Sequence, residues 1–142
     1  MPRRRPDQLL RSSAFEVRIG NREIGFAEVS RLTSESVLDP EGKRVHQHAP
    51  VVLRRAVTSS TDLYEWRRSI VAGKDDHRDV TIRQLSAPGG QAVNSWKLIH
   101  AWPIRWSGPE FDALNDGIAW EELELAFEDL LWLTTDTTSG GG

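Results

Sequence analysis

The chain contains no cysteine. That removes disulfides and thiolate metal sites and fits a reducing compartment. It has no apolar run of the roughly 20 residues that a membrane-spanning helix requires. The basic start, Met1 to Arg5, runs into Asp7-Gln8-Leu9-Leu10-Arg11 and not into an apolar secretory core. The expectation is synthesis in the cytoplasm, with no membrane anchor. The turn at Gly89-Gly90 lacks a GxGxxG pattern and a Walker lysine, and no GxSxG elbow occurs. After Arg105 there is no basic residue at all.

What is present fits one folded domain. The 142 residues are 38% hydrophobic and 27% charged, enough for a real core and unlike a disordered chain. The net charge of −3 hides an uneven split. Residues 1–105 carry all 18 Lys and Arg against 12 acids, a balance of +6; residues 106–142 carry 9 acids and no base, a balance of −9. Opposite charges of this kind complement each other either across adjacent strands or between copies that face opposite ways.

The periodicity is mostly that of strands. Residues 1–13, with Pro2 and Pro6, read as an Arg-rich arm. Ala14 to Ile19 alternates Phe15, Val17 and Ile19 with Glu16 and Arg18, and Gly20-Asn21-Arg22 is a hairpin-type turn. A second strand is expected over about 23–32, with a bulge or close approach at Gly25. Ser36 to Leu38 extends it, Asp39-Pro40-Glu41-Gly42 breaks it, and the polar stretch to His48 reads as a long loop. Further strands are expected at 50–57, 79–85, 92–102 and 120–127, with Pro103 ending or bending the fourth. The one helix begins near Asp62, the expected N-cap, with Glu65 placed for a capping box. Leu63, Trp66 and Ile70 share its apolar side, and Gly73 stops it. These elements predict an all-β fold, a β-barrel of two packed antiparallel sheets with one capping α-helix. The domain spans 14–133, after the arm at 1–13 and before a Thr/Ser/Gly tail at 134–142. Free sheet edges in such a fold favour pairing with other copies.

Candidate chemistry is thin. Asp75-Asp76-His77-Arg78-Asp79 offers carboxylates and an imidazole for a divalent metal. The residues are consecutive, however, and adjacent side chains diverge unless the loop folds back. His46-x-His48 has ligand spacing but no third donor nearby in sequence. His100 reads as a packed or hydrogen-bonded histidine. Glu122 and Glu124 share the polar face of a strand. The arginines, Arg54 and Arg55 among them, are scattered over different elements, which argues against a dedicated nucleic-acid surface. No catalytic residue, metal site or cofactor is assigned. Tryptophan is the anomaly: Trp66 reads as core, but Trp96, Trp102, Trp106, Trp120 and Trp132 exceed what one small core needs. Indoles are enriched at interfaces, and Trp106 and Trp132 are the two expected there.

Six segments, taken in order over about residues 14–131, resemble the tube proteins of contractile phage tails and of phage-tail-like contractile injection systems. Phe15 to Gly20 resembles the opening strand. Ile24 to Leu32, IGFAEVSRL, is similar to the family's "GFSEVSGL". Val52-Leu53-Arg54-Arg55 resembles "LKRG", and Asp62 to Trp66 resembles the helix start. Ala101 to Trp106, AWPIRW, resembles "AWPxKW", and Ala119 to Leu130 resembles the closing "ExLELAHEGL". The chain departs from the pattern at Ala56, over His46 to Pro50, and at Phe127 and Asp129.

The resemblance implies a structural subunit and not an enzyme. Six copies would close a ring, and rings would stack into a hollow tube within a sheath. Baseplate and cap proteins would bound the tube, and protein or DNA cargo would lie in its lumen. Such particles are assembled in the bacterial cytoplasm. The expected subunit contacts are Asp39, Glu41, Lys43, Arg44, His46 and His48 of the long loop, reaching the next ring, with Trp106 and Trp132. The departures leave a second reading, a specialised ring near the baseplate or cap. A third is a small ligand-binding barrel or metal-dependent enzyme working through the Asp75–Asp79 loop.

Overall fold

The computed structural model describes residues 14–114 and 117–134. The arm at 1–13 and the tail after Thr134 lie outside the described residues. In order come β1 (Phe15–Ile19), β2 (Arg22–Ile24), β3 (Glu28–Val29), β4 (Ser34–Leu38), β5 (Arg44–His48), β6 (Val51–Ala56), α1 (Asp62–Val71), β7 (Arg78–Leu85), β8 (Ala92–Ser107), β9 (Trp120–Ala126) and β10 (Asp129–Thr134).

The main sheet follows the path β2-β1-β7-β8-β9-β6-β3, with β10 also on β8, and all its pairings are antiparallel. β8 belongs to two layers. Its first part pairs with β7 and β10, and its second part, from Trp102, pairs with β9. The path is open. β2 and β3 end it, and no pairing between them closes a barrel among the described residues. The expected two packed sheets and single helix are present; the closed barrel is not.

Alternation puts Val17 and Ile19 of β1, Val51 and Leu53 of β6, Val80 and Ile82 of β7, and Leu123 and Leu125 of β9 into one core. Leu63 and Trp66 of α1 seal it. The helix is amphipathic as its spacing predicts, but its start differs. Thr61 is the N-cap and makes no side-chain cap bond, so the capping box does not form. Asp62 sits one position inside, with its carboxylate held by Arg55 at 2.6 Å. At the other end Gly73 takes a φ of +87°, the left-handed conformation that closes many helices. Nothing lies within 4 Å of a Cβ added there, so only backbone strain opposes a side chain. Gly73→Ala is therefore expected to cost about 1 kcal/mol in urea unfolding.

Four expectations are corrected. The second strand breaks at Gly25: the chain leaves β1 after Ile24 and crosses to β6 as β3. The polar stretch 39–48 is not a loop but the turn and second strand of a hairpin. β4 and β5 pair from Ser34↔His48 to Leu38↔Arg44. Asp39 Oδ1 pins the turn by accepting from the Lys43 amide at 2.7 Å and the Glu41 amide at 3.0 Å. Apolar alternation missed this pair because both its faces lie outside the core. Pro103 neither ends β8 nor sits at a free edge. It is fully buried, opposite Leu125, and β8 continues to Ser107. Finally, β10 is an additional strand that continues the line of β9 along β8.

A bulge sets which residues of β8 face the core. His100 has a φ of +53° and adds one residue to β8 between its Leu98 and Ala101 pairs with β7. Leu98, Ala101 and Pro103 then face the core, and His100 is exposed. Opposite this bulge, Phe127 and Glu128 link β9 to β10. Both members of the long pair thus bend at one level, which carries the chain from one layer to the other.

Candidate assembly surface

A buried ionic cluster fixes helix and sheet together beneath the surface. Arg55 points inward from β6, in phase with Val51 and Leu53. Its Nε donates to Glu121 Oε1 at 2.8 Å and its Nη2 to Asp62 Oδ1 at 2.6 Å. Glu121 Oε2 accepts from Trp106 Nε1 at 2.7 Å. Burial alone would lower the guanidinium and raise the Asp62 carboxyl, but their mutual hydrogen bonds reverse both, holding Arg55 above and Asp62 below its ordinary value. Arg54, the next residue, faces outward, stacks 4.1 Å over Trp120 and pairs with Glu28 and Glu122. Both arginines are engaged within the protomer, which leaves neither as a ready phosphate contact.

Above this frame the surface has unfinished edges. Among the described residues β10 hydrogen-bonds to β8 on one side only. It presents Leu131, Trp132 and Leu133 to solvent, with Trp132 63% exposed. Trp132 lies against Trp96, centroids 5.3 Å apart, and donates to Asn94 Oδ1 at 3.0 Å. Trp106, the other expected interface indole, is placed differently. It is half-buried, meets Tyr64 edge-on at 5.1 Å, and its N–H is spent on Glu121. The segment between β8 and β9 adds apolar exposure: Phe111 is 95% and Leu114 96% exposed. Sequence reading missed these two, together with Val37 and Leu38 of β4. The available signal was apolar residues in segments with no strand or helix period.

The hairpin stands on the body through few contacts. The Ala49 amide donates to Thr33 O at 3.2 Å, which extends the hairpin ladder to its base, and against the body His48 stacks on Phe127 at 5.1 Å with its Nε2 3.9 Å from Asp129. Asp39 is occupied with its own turn. His46 pairs with Ser36 Oγ at 2.8 Å, so the two histidines of His46-x-His48 have separate partners. Glu41, Lys43 and Arg44 form no ion pair among the described residues and project at the tip and along β5. The six expected hairpin residues are thus gathered on one projecting element, whose base meets the start of β10 where His48 approaches Asp129.

Among the described residues the carboxylates of the Asp75–Asp79 run do not gather at one point. Asp76 accepts two hydrogen bonds from Arg78, at 3.0 and 2.9 Å, and one from Ser69 at 2.6 Å. Arg78 and Ser69 hold its carboxyl below the ordinary range, against the opposing effect of burial. Arg78 also lies 4.7 Å over the Trp66 ring, whose N–H donates to Asp76 O at 2.7 Å. This is a clasp on the end of α1.

Solved structures share this architecture. A chain of the PVC extracellular contractile injection system, in its sheath-tube complex in the extended state, aligns with a TM-score of 0.73 at 23% identity, covering 91% of this chain and 94% of that one. A chain of the anti-feeding prophage baseplate, 6-fold symmetrised, gives 0.70 at 25% identity, covering 87% and 94%. Hcp1 from Flavobacterium johnsoniae gives 0.64 at 14% identity, covering 84% and 94%. No significant match occurs among curated proteins. Residues 11–131 match the profile of the T4-like virus tail tube protein gp19. That span holds β1 through the start of β10, and the chain belongs to this tail tube protein family.

Proposed function

We propose that this chain is the repeating subunit of the inner tube of a contractile tail or injection particle, closing six-membered rings that stack around a hollow lumen. The observation that carries the ring is the open sheet path with the apolar β10, paired to β8 along one edge and bare along the other among the described residues. A heterologous contact between that margin and a different edge of the next copy repeats by rotation and closes. The 6-fold symmetry of the anti-feeding prophage relative supports six as the number. Stacking is assigned to the β4–β5 hairpin, whose unpaired tip charges face outward. Trp106 contributes from beneath as a support for Glu121. A sheath outside, a baseplate and a cap at the ends, and protein or DNA cargo inside complete the particle. The domain boundaries at 14 and 133, with an arm and a tail outside them, belong to the same proposal. A specialised ring at the tube's end is the second reading, supported by the likeness to a baseplate chain.

The experiment is direct. Purified full chain should run at a hexamer's mass or above in light scattering and show rings by negative stain. A monomer at every concentration would end the proposal. The hairpin has its own test. Lys43→Glu with Arg44→Glu should leave single rings intact while weakening their stacking roughly tenfold at low salt, an effect that shrinks as salt rises. Unchanged tube lengths at low salt would reassign the stacking contact.

A further inference from the structure

Three distant segments meet at the corner where β8 passes between layers. His77 lies just ahead of β7, His100 is the bulged residue of β8, and Glu128 lies in the link from β9 to β10. One donor atom from each falls within 4.8 Å of the others. His100 Nδ1 is 3.1 Å from Glu128 Oε1, and the His77 and His100 ring centroids are 6.0 Å apart. All three side chains are open to solvent.

Two features separate this cluster from chance ion pairing on a surface. The first is its backbone. His100 is the one described residue other than glycine with a positive φ. The bulge that holds it there is tied on both sides. The His100 amide donates to Asp79 Oδ1 at 3.0 Å, and the Glu128 amide donates to Ile99 O at 2.9 Å. Such conformations persist only where the surroundings over-determine them, and they concentrate at ligand sites. The second feature is Asp75, whose Oδ1 lies 3.2 Å from His77 Nδ1. A carboxylate behind one imidazole nitrogen orients the ring and leaves Nε2 for a metal.

We propose that His77, His100 and Glu128 form a surface site for a divalent transition-metal ion of borderline softness, of which Zn²⁺ is the probe, with Asp75 as the positioning residue. Two imidazoles and one carboxylate are a zinc donor set with an open position for water. Side-chain rotations must draw the donors to the roughly 3.3 Å spacing of a tetrahedral site. The ligands come from three elements, so the bound ion ties β7, β8 and β10 together at the bend and stabilises the folded chain.

The test is calorimetric titration of the untagged full chain with zinc chloride, paired with the visible spectrum of its Co²⁺ form. The expected result is one ion per chain, bound in the low-micromolar range, with a thermal midpoint that rises with zinc. His77→Ala, His100→Asn and Glu128→Gln should each weaken binding at least tenfold while circular dichroism stays unchanged. Asparagine is chosen at position 100 because it tolerates a positive φ. Asp75→Ala should weaken binding less, and His46→Ala should leave it as it was. Absence of saturable one-to-one binding overturns the proposal and leaves an ordinary imidazole–carboxylate pair. So does binding that survives His77→Ala combined with His100→Asn, or that falls only with His46→Ala. The one-to-one ratio is read on rings or monomers alike, so failure here is distinct from failure to assemble.

Discussion

Trp132→Asp is expected to abolish ring closure while leaving the fold in place. Trp132 is 63% exposed in the protomer, so its removal costs the isolated chain little. Its loss within the fold is confined to the contact with Trp96 and the bond to Asn94. In a ring the same indole would be covered once per subunit contact. Buried tryptophans at interface centres are worth about 2–4 kcal/mol each, or roughly 30- to 1,000-fold in affinity. The introduced carboxylate adds a desolvation cost, because it would be covered where an apolar ring was. Six closing contacts would each lose this much. Light scattering should report a monomer where the parent chain reports a hexamer or more, with an unchanged circular dichroism spectrum. Rings at the parent's concentration would show that β10 is not the closing edge.

The second large effect lies inside the protomer. Arg55→Leu should cost about 3–5 kcal/mol, because it strands Glu121 and Asp62 as buried carboxylates without their cation. Trp106 still donates to Glu121, which keeps the loss from being larger. Adding Glu121→Leu should restore part of the stability, since removing both partners is milder than removing one. Urea unfolding at fixed protein concentration measures both, and the coupling between them is the difference from additivity. If the double variant is no more stable than Arg55→Leu alone, the pair is not the source of the loss.

Acid acts on this cluster and on the Asp76 clasp at the end of α1. Asp62 and Asp76 are both held below their ordinary value of 3.8. A depressed carboxylate stabilises the fold fully above its unfolded value, and that contribution disappears as pH falls through the folded one. Unfolding free energy should therefore drop below about pH 4, and the drop should be shallower in Asp62→Asn.

The alternations of Phe15-Val17-Ile19 and Leu123-Leu125-Phe127 were legible because one face of each strand meets the core, and burial writes a period of two into the sequence. The helix was legible for the same reason, through Leu63 and Trp66. The β4–β5 hairpin was not, since a strand pair with two wet faces carries no apolar rhythm, and a side-chain turn at Asp39 does the work instead. β10 was obscured by Leu130-Leu131-Trp132-Leu133, where an edge strand carries apolar residues on both faces. Trp132 could be chosen for an interface from excess tryptophan alone, but the hydrogen bond from Trp106 to Glu121 could not be seen.

Local order and composition by themselves determined the strand-rich class, the helix, the charge division at Arg105 and the family resemblance, because each is written in neighbouring residues. The tertiary structure alone decided which arginine is buried, that the sheet path stays open, and that His77, His100 and Glu128 share a corner. Those facts depend on strand register and on a bulge at His100. Register brings Arg55 to Glu121, 66 residues on, and His100 to Glu128, 28 residues on, and no local pattern encodes such meetings.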